Sequence, residues 1–224
     1  DKLYSVIAHD LRSPMGSIKM VLNMLMLNLP VEKIGGEMYE LLTMANRTTE
    51  DVFSLLDNLL KWTKSQIGNL NVVYQDVDAV EVVDSVIDVF NMAGLKKITI
   101  REEKPEKLPV CTDIDMLKTI IRNLLSNAIK FSNENSEVLV KMEEQGDTVV
   151  VSVKDSGCGI DEEGQKKLLH TDTHFSTFGT NNEEGSGLGL LLCQDFAVKS
   201  GGKLWFTSKK GEGSTFYFSI PLKK

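Results

Sequence analysis

The chain has 224 residues, a formal net charge of -7, and 42% hydrophobic against 25% charged side chains. This is the balance of an ordinary water-soluble globular protein, with enough length for two compact units. The acidic excess excludes a general nucleic-acid binder, which needs clustered Lys and Arg, and no run approaches the roughly 20 apolar residues of a membrane-crossing helix. Cys111, Cys158 and Cys193 are odd in number and form no Cys-x-x-Cys pair. They suggest neither a disulfide framework nor a zinc site, and they fit a reducing, cytoplasmic setting. The chain opens on Asp1 inside an apparent helix, so it reads as a piece cut from a larger protein, with any membrane anchor in parts outside it.

From Leu11, the apolar residues Met15, Ile18, Leu22, Leu25 and Leu29 alternate at spacings of four and three, a heptad seam. Pro30 and Gly35-Gly36 interrupt it, and Leu41, Ala45, Thr48, Val52, Leu55, Leu59 and Trp62 then restore it. Two long helices joined by a short turn are predicted. Leu27, Leu42, Phe53, Leu56 and Leu60 add apolar surface beyond the seam, which pairing two hairpins into a dimeric four-helix bundle would bury. The methionines Met15, Met20, Met24 and Met26 read as core packing. The hairpin is expected over residues 1–68, ending at a break near Gly68, and a second domain over 69–224.

The second domain mixes short strands and helices. Alternation predicts strands near Asn71–Asp76, Lys97–Glu102, Glu137–Glu143, Thr148–Asp155, Gly202–Thr207 and Ser214–Ile220. Helical spacing predicts Ala79–Met92, Ile114–Lys130, Glu162–Leu169 and Leu188–Ser200. The fold class is therefore an α-helical hairpin followed by an α/β two-layer sandwich. The polar stretch from Thr171 to Gly187 is long for a connection and reads as a lid.

Four clusters carry chemistry. His9 falls roughly 160° round the helix from the heptad seam and is expected to face solvent. Asp10 follows it, Ser13 lies one turn on, and Pro14 is expected to distort the helix locally. An exposed neutral imidazole beside a carboxylate is a competent phosphate acceptor, although most exposed helical histidines do nothing. Next, Asn123, Asn127 and Lys130 share one face at spacings of four and three, just before Phe131. Amide oxygens suit Mg²⁺ and an ammonium suits phosphate; a merely solvated polar face is the bland alternative.

Asp155-Ser-Gly157-Cys158-Gly159 ends an apolar strand and marks a tight turn whose carboxylate can accept an amine. Gly185-Ser-Gly187-Leu188-Gly189 opens an apolar helix, so backbone N–H groups there can meet phosphate. Phe175 and Phe178 are candidate lid anchors. Cys158 is expected to be a buried, inert thiol, and His170 and His174 to be plain surface residues.

Taken in order, these motifs resemble the sensor histidine kinases of two-component systems over nearly the whole chain. His9 to Pro14 resembles their H box, Asn123 to Phe131 their N box, Asp155 to Gly159 and Gly185 to Gly189 their two glycine boxes, and Phe175 to Phe178 their F box. The lid looks most like that of hybrid sensors from Bacteroidetes. The resemblance implies a Bergerat-type ATP-binding domain like those of type II topoisomerases, a chaperone family and a mismatch-repair family. It implies autophosphorylation of His9 by ATP with Mg²⁺, a homodimer through the hairpin, and transfer to an Asp of a response-regulator receiver.

The resemblance also implies roles for individual residues. Asp10 is the orienting base, and Asp155 accepts the adenine amine. Asn127, helped by Asn123, binds Mg²⁺. Lys130, Phe131, Gly157, Gly159, Phe175, Gly185, Gly187, Leu188, Gly189 and Thr215 complete the nucleotide site. Ser13 stands where the family usually has Thr or Asn for phosphatase action. The family's ATPase branch has Glu where this chain has Asn123, and an amide cannot activate water as a base. The competing readings are an ATP-binding dimeric scaffold without kinase activity and a related ATPase.

Overall fold

A computed structural model describes residues 2–29, 31–66, 71–93, 97–168 and 188–222, excluding the side chains of 2–10 and those of Arg47, Gln66 and Ala93. The chain divides into two compact units, Asp1–Leu70 and Asn71–Lys224.

The first unit is a hairpin of α1 (Lys2–Asn28), a one-turn α2 (Val31–Ile34) and α3 (Gly36–Gln66). Gly35 takes φ 79° and its amide bonds back to the Val31 carbonyl, so a residue without a β-carbon closes the short turn before α3 starts. Helix α1 runs through Pro14, whose ring nitrogen leaves the Asp10 carbonyl without its usual helical donor.

The inner face of the hairpin uses Met15, Leu22 and Met26 against Leu42, Thr49, Phe53, Leu56 and Leu60. The heptad residues Leu11, Ile18, Leu25, Leu41, Val52, Leu55 and Leu59 are instead exposed in the single chain. The expected seam is thus split, with Met15 and Leu22 turned inward and these seven outward; of the residues beyond it, Leu42, Phe53, Leu56 and Leu60 help close the hairpin, while Leu27 is exposed. Met20 and Met24, read as core, are also exposed. Arg12 Nε and Nη2 lie 3.2 and 2.8 Å from Asp57 Oδ1, and Lys61 Nζ is 2.8 Å from Oδ2, which ties α1 to α3. Burial pushes the Asp57 carboxyl up, but the Lys61 and Arg12 bonds outweigh it and hold the pKa below its usual value.

The second unit contains β1 (Gln75–Asp78), α4 (Ala79–Ala93), β2 (Thr99–Glu103), β3 (Pro109–Thr112), α5 (Ile114–Phe131), β4 (Glu137–Gln145), β5 (Thr148–Lys154), α6 (Glu162–Lys167), α7 (Leu188–Lys199), β6 (Leu204–Lys209) and β7 (Gly213–Pro221). Five strands form one sheet in the order β2-β4-β5-β7-β6, with β1 and β3 in a separate antiparallel pair. Only β2 and β4 run parallel in the large sheet.

Two expectations need correction. Strand β3 has no counterpart in the sequence reading, because Pro109-Val-Cys-Thr is too short to show alternation. The first strand lies at Gln75–Asp78, not Asn71–Asp76, since its partner is β3, pairing Gln75 with Thr112 and Asp78 with Pro109.

The core lies between the sheet and the helices. Val138, Val140 and Met142 of β4, Val149, Val151 and Val153 of β5, and Phe216, Phe218 and Ile220 of β7 are buried at alternate positions. Helix α5 meets this layer through Leu117, Ile121, Leu124, Leu125 and Ile129, all at most 7% exposed. Its start is fixed by Asp113, whose Oδ1 accepts the amides of Asp115 and Met116 while Oδ2 accepts that of Val73.

Candidate nucleotide site

Strand β5 is apolar, so it runs through the core and delivers Asp155 to its end at 4% exposure. Asp155 Oδ1 accepts the amides of Gly157, at 2.8 Å, and Ser214, at 3.2 Å. No described residue donates to Oδ2. Burial raises the pKa of this carboxyl, and the two amide bonds only partly offset the effect. One oxygen of this buried carboxyl is therefore held in place by backbone amides.

The loop that follows is gripped from three sides. The Cys158 amide lies 3.4 Å from the Phe131 carbonyl at the end of α5, and the Gly211 amide donates to the Cys158 carbonyl at 2.7 Å. The Ile160 amide donates to Ser208 Oγ at 2.8 Å. A β-carbon at Gly159, where φ is 61°, would lie 2.0 Å from the Lys209 carbonyl oxygen, and one at Gly213 2.1 Å from that of Asp155. Glycine is needed at both for close backbone approach.

Asn123, Asn127, Lys130 and Phe131 lie half-buried along α5. Asn123 Nδ2 donates to the Thr119 carbonyl at 3.1 Å, and the same side chain hydrogen-bonds the Cys193 thiol on α7. Lys130 Nζ sits 5.3 Å from the Phe131 ring centroid. The Phe131 carbonyl joins this helix to the glycine loop, so the Asn/Lys face and Asp155 border one region. Leu188 and Gly189 begin α7, with Leu188 buried.

Thr215 lies on β7. Strand alternation puts it on the face of Tyr217, which stacks on Trp205, away from the buried Phe216. Its neighbour Ser214 is the residue that reaches Asp155. The sequence signal was available, because Ser214 directly follows Gly213, where the close approach occurs.

Cys158 is exposed, not buried as expected, because the turn carries its side chain outward while its backbone is held. Cys193 is the buried thiol, and burial pushes its pKa up to about 12 despite the Asn123 bond. The side chains of His9 and Asp10, and all of His170, His174, Phe175, Phe178, Gly185 and Gly187, lie outside the described residues. Ser13 is exposed on α1, where its carbonyl accepts the Ser17 hydroxyl.

The buried carboxylate and its close-approach glycines thus lie at a sheet end beside a half-buried polar helix face of an α/β fold. Residues 112–224 match the family described as histidine kinase-, DNA gyrase B-, and HSP90-like ATPase, and the chain belongs to it. The relatives it matches include sensor kinases. The chain is 29% identical to the adaptive-response sensory kinase SasA of Crocosphaera subtropica over 99% of its own length and 59% of that protein's. It is 34% identical to the sensor protein KdpD of Clostridium acetobutylicum over 96% of its length and 24% of that protein's.

Among solved structures, the catalytic domain of the histidine kinase ThkA is 31% identical, with a TM-score of 0.58, covering 67% of this chain and 96% of that one. Full-length ShkA in complex with AMPPNP shares the fold at a TM-score of 0.72 and 21% identity, covering all of this chain and 46% of that one. The chain spans less than three fifths of the length of several curated relatives it matches. A Bacteroidetes origin finds no support in these relatives.

Proposed function

We propose that this chain is the catalytic core of a sensor histidine kinase that transfers the γ-phosphoryl group of ATP to His9 and then passes it to an Asp of a response-regulator receiver. The observation that supports the reading is the buried Asp155, with one oxygen fixed by the Gly157 and Ser214 amides and no described residue donating to the other. Such an acceptor matches the exocyclic amine of adenine.

In the transfer, a neutral His9 ring nitrogen bonds to the γ-phosphorus while the bond to the bridging β–γ oxygen breaks, and ADP leaves. Asp10, next in sequence, orients the ring and accepts the ring proton that the imidazolium releases once the nitrogen–phosphorus bond has formed. Lys130 neutralises phosphate charge. Asn127 and Asn123 offer hard amide oxygens on one half-buried face, which suits a Mg²⁺ held mainly by substrate phosphates. When bound, that ion supplies charge neutralisation at the phosphates. An amide at position 123 cannot deprotonate water, which favours transfer over hydrolysis.

The outward apolar stripe of Leu11, Ile18, Leu25, Leu41, Val52, Leu55 and Leu59 supports pairing of two hairpins into a homodimer. Among the described residues no helix is long and apolar enough to cross a membrane.

The test is incubation of wild type and His9→Ala with γ-labelled ATP and Mg²⁺. Acid-labile, base-stable label on wild type alone supports the reading. ADP binding with no label on either protein would favour a nucleotide-binding scaffold instead, and phosphate release without protein label a related ATPase.

A further inference from the structure

The buried Cys193 thiol on α7 stands between two groups of α5. Its Sγ lies 3.8 Å from the Ile120 carbonyl oxygen, and the Asn123 side chain bonds to the same sulfur. Burial pushes the thiol pKa up to about 12, so at neutral pH the sulfur keeps its hydrogen and donates it to Ile120. The sulfur therefore meets Asn123 as an acceptor, the sense in which an amide lowers a thiol pKa, and the amide end that it meets is Nδ2.

The other Nδ2 hydrogen goes to the Thr119 carbonyl at 3.1 Å. Both amide hydrogens are then committed, one to a carbonyl of the same helix and one to a sulfur of another. A reversed amide would set its oxygen against the Thr119 carbonyl, which has no hydrogen to give. The Thr119 bond alone chooses which end of the amide faces the helix backbone, but it lets the amide plane swivel. The second bond, coming from α7, fixes the plane. Asn127 follows one turn on from Asn123, so the direction in which Asn123 Oδ1 is held decides whether two amide oxygens can serve one ion.

We propose that Cys193 is a positioning residue for Asn123: its sulfur holds the amide plane so that Oδ1 can act with Asn127 on a phosphate-bound Mg²⁺. The proposal rests on the reading of Asn123 and Asn127 as the amide pair that serves that ion.

The test is calorimetric binding of ADP, with Mg²⁺ and with the metal chelated, to wild type, Cys193→Ala, Asn123→Ala and the double variant. The readout is the gain in ADP affinity that Mg²⁺ brings. Cys193→Ala, which offers the amide no acceptor, is expected to lose about tenfold of that gain. Asn123→Ala is expected to lose at least as much, and the double variant no more than Asn123→Ala alone, since the sulfur acts only through the amide. Should Cys193→Ala fail to fold, Cys193→Val, which fills the site without an acceptor, is read in its place with its own double variant. An unchanged gain in the Cys193 variant, or losses that add in the double variant, overturns the role of Cys193 and leaves the Asn123 reading standing. A wild type without such a gain, or an unchanged gain in Asn123→Ala, overturns that reading and the proposal with it.

Discussion

A β-carbon on Gly157 would sit 2.0 Å from the carbonyl oxygen of Phe131. The last carbonyl of the Asn/Lys helix therefore fixes the height of the Asp155 loop, and two motifs separated in sequence are locked by one missing side chain. Gly157→Ala must push the loop off α5. The expected cost is about 3 kcal/mol or more of stability, with ADP binding lost, read by thermal unfolding and calorimetry.

Asp155→Asn separates binding from stability. Removing the charged acceptor is expected to weaken ADP binding about 100-fold. Because burial raises this carboxyl's pKa, the folded state holds its proton more tightly than the unfolded state does. Its favourable contribution is complete below the ordinary Asp value and is lost as pH rises through the raised one. At neutral pH the ligand-free variant should therefore melt no lower than wild type. ADP affinity of the wild type should weaken as pH falls toward the raised value, where the carboxylate takes up a proton. A large drop in the melting temperature of the variant would contradict this account.

The Asp57 carboxyl titrates the other way. Its pKa is lowered by Lys61 and Arg12 against the effect of burial, so its stabilisation is present above the ordinary Asp value and disappears as pH falls through the lowered one. With Asp57 a quarter and Arg12 nearly half exposed, Asp57→Ala is expected to cost the hairpin only about 1 kcal/mol at neutral pH. The difference between variant and wild type should vanish in strong acid, as followed by helical circular dichroism.

Thiol chemistry should sort the three cysteines. Cys111 and Cys158 are exposed, whereas Cys193 is buried with a pKa near 12. Alkylation at pH 8 followed by mass spectrometry should modify the first two and reach Cys193 only after unfolding. Bound ADP should slow the modification of Cys158, which lies in the Asp155 loop, and leave that of Cys111 unchanged.

Much of this was legible from the chain. Long strands such as β4, β5 and β7 announce themselves because their buried residues recur at every second position, and α5 does so through its apolar face. Strand β3 could not be read, because four residues beginning with Pro109 carry too little periodicity and their pairing partner is distant in sequence. Heptad spacing located both helices of the hairpin but not which stripe faces inward, since the pattern of Leu11, Ile18 and Leu25 is compatible with burial in either direction. The strand phase of Ser214 and Thr215 could not be read either, because a glycine-rich turn hides it; the buried Phe216 next to Thr215 sets it.

The two edges of the large sheet are guarded differently from its middle. Strand β2 presents Thr99, Arg101, Glu102 and Glu103 around a single apolar Ile100, and β6, which opens with Leu204, Trp205 and Phe206, ends in Thr207, Ser208 and Lys209. Polar and charged edges discourage strand addition by another chain. Self-association of this protein should therefore be a matter of helices: raising the concentration should raise helix-mediated pairing without seeding edge-to-edge sheet growth, even though β4, β5 and β7 carry the apolar runs that would otherwise favour fibrils.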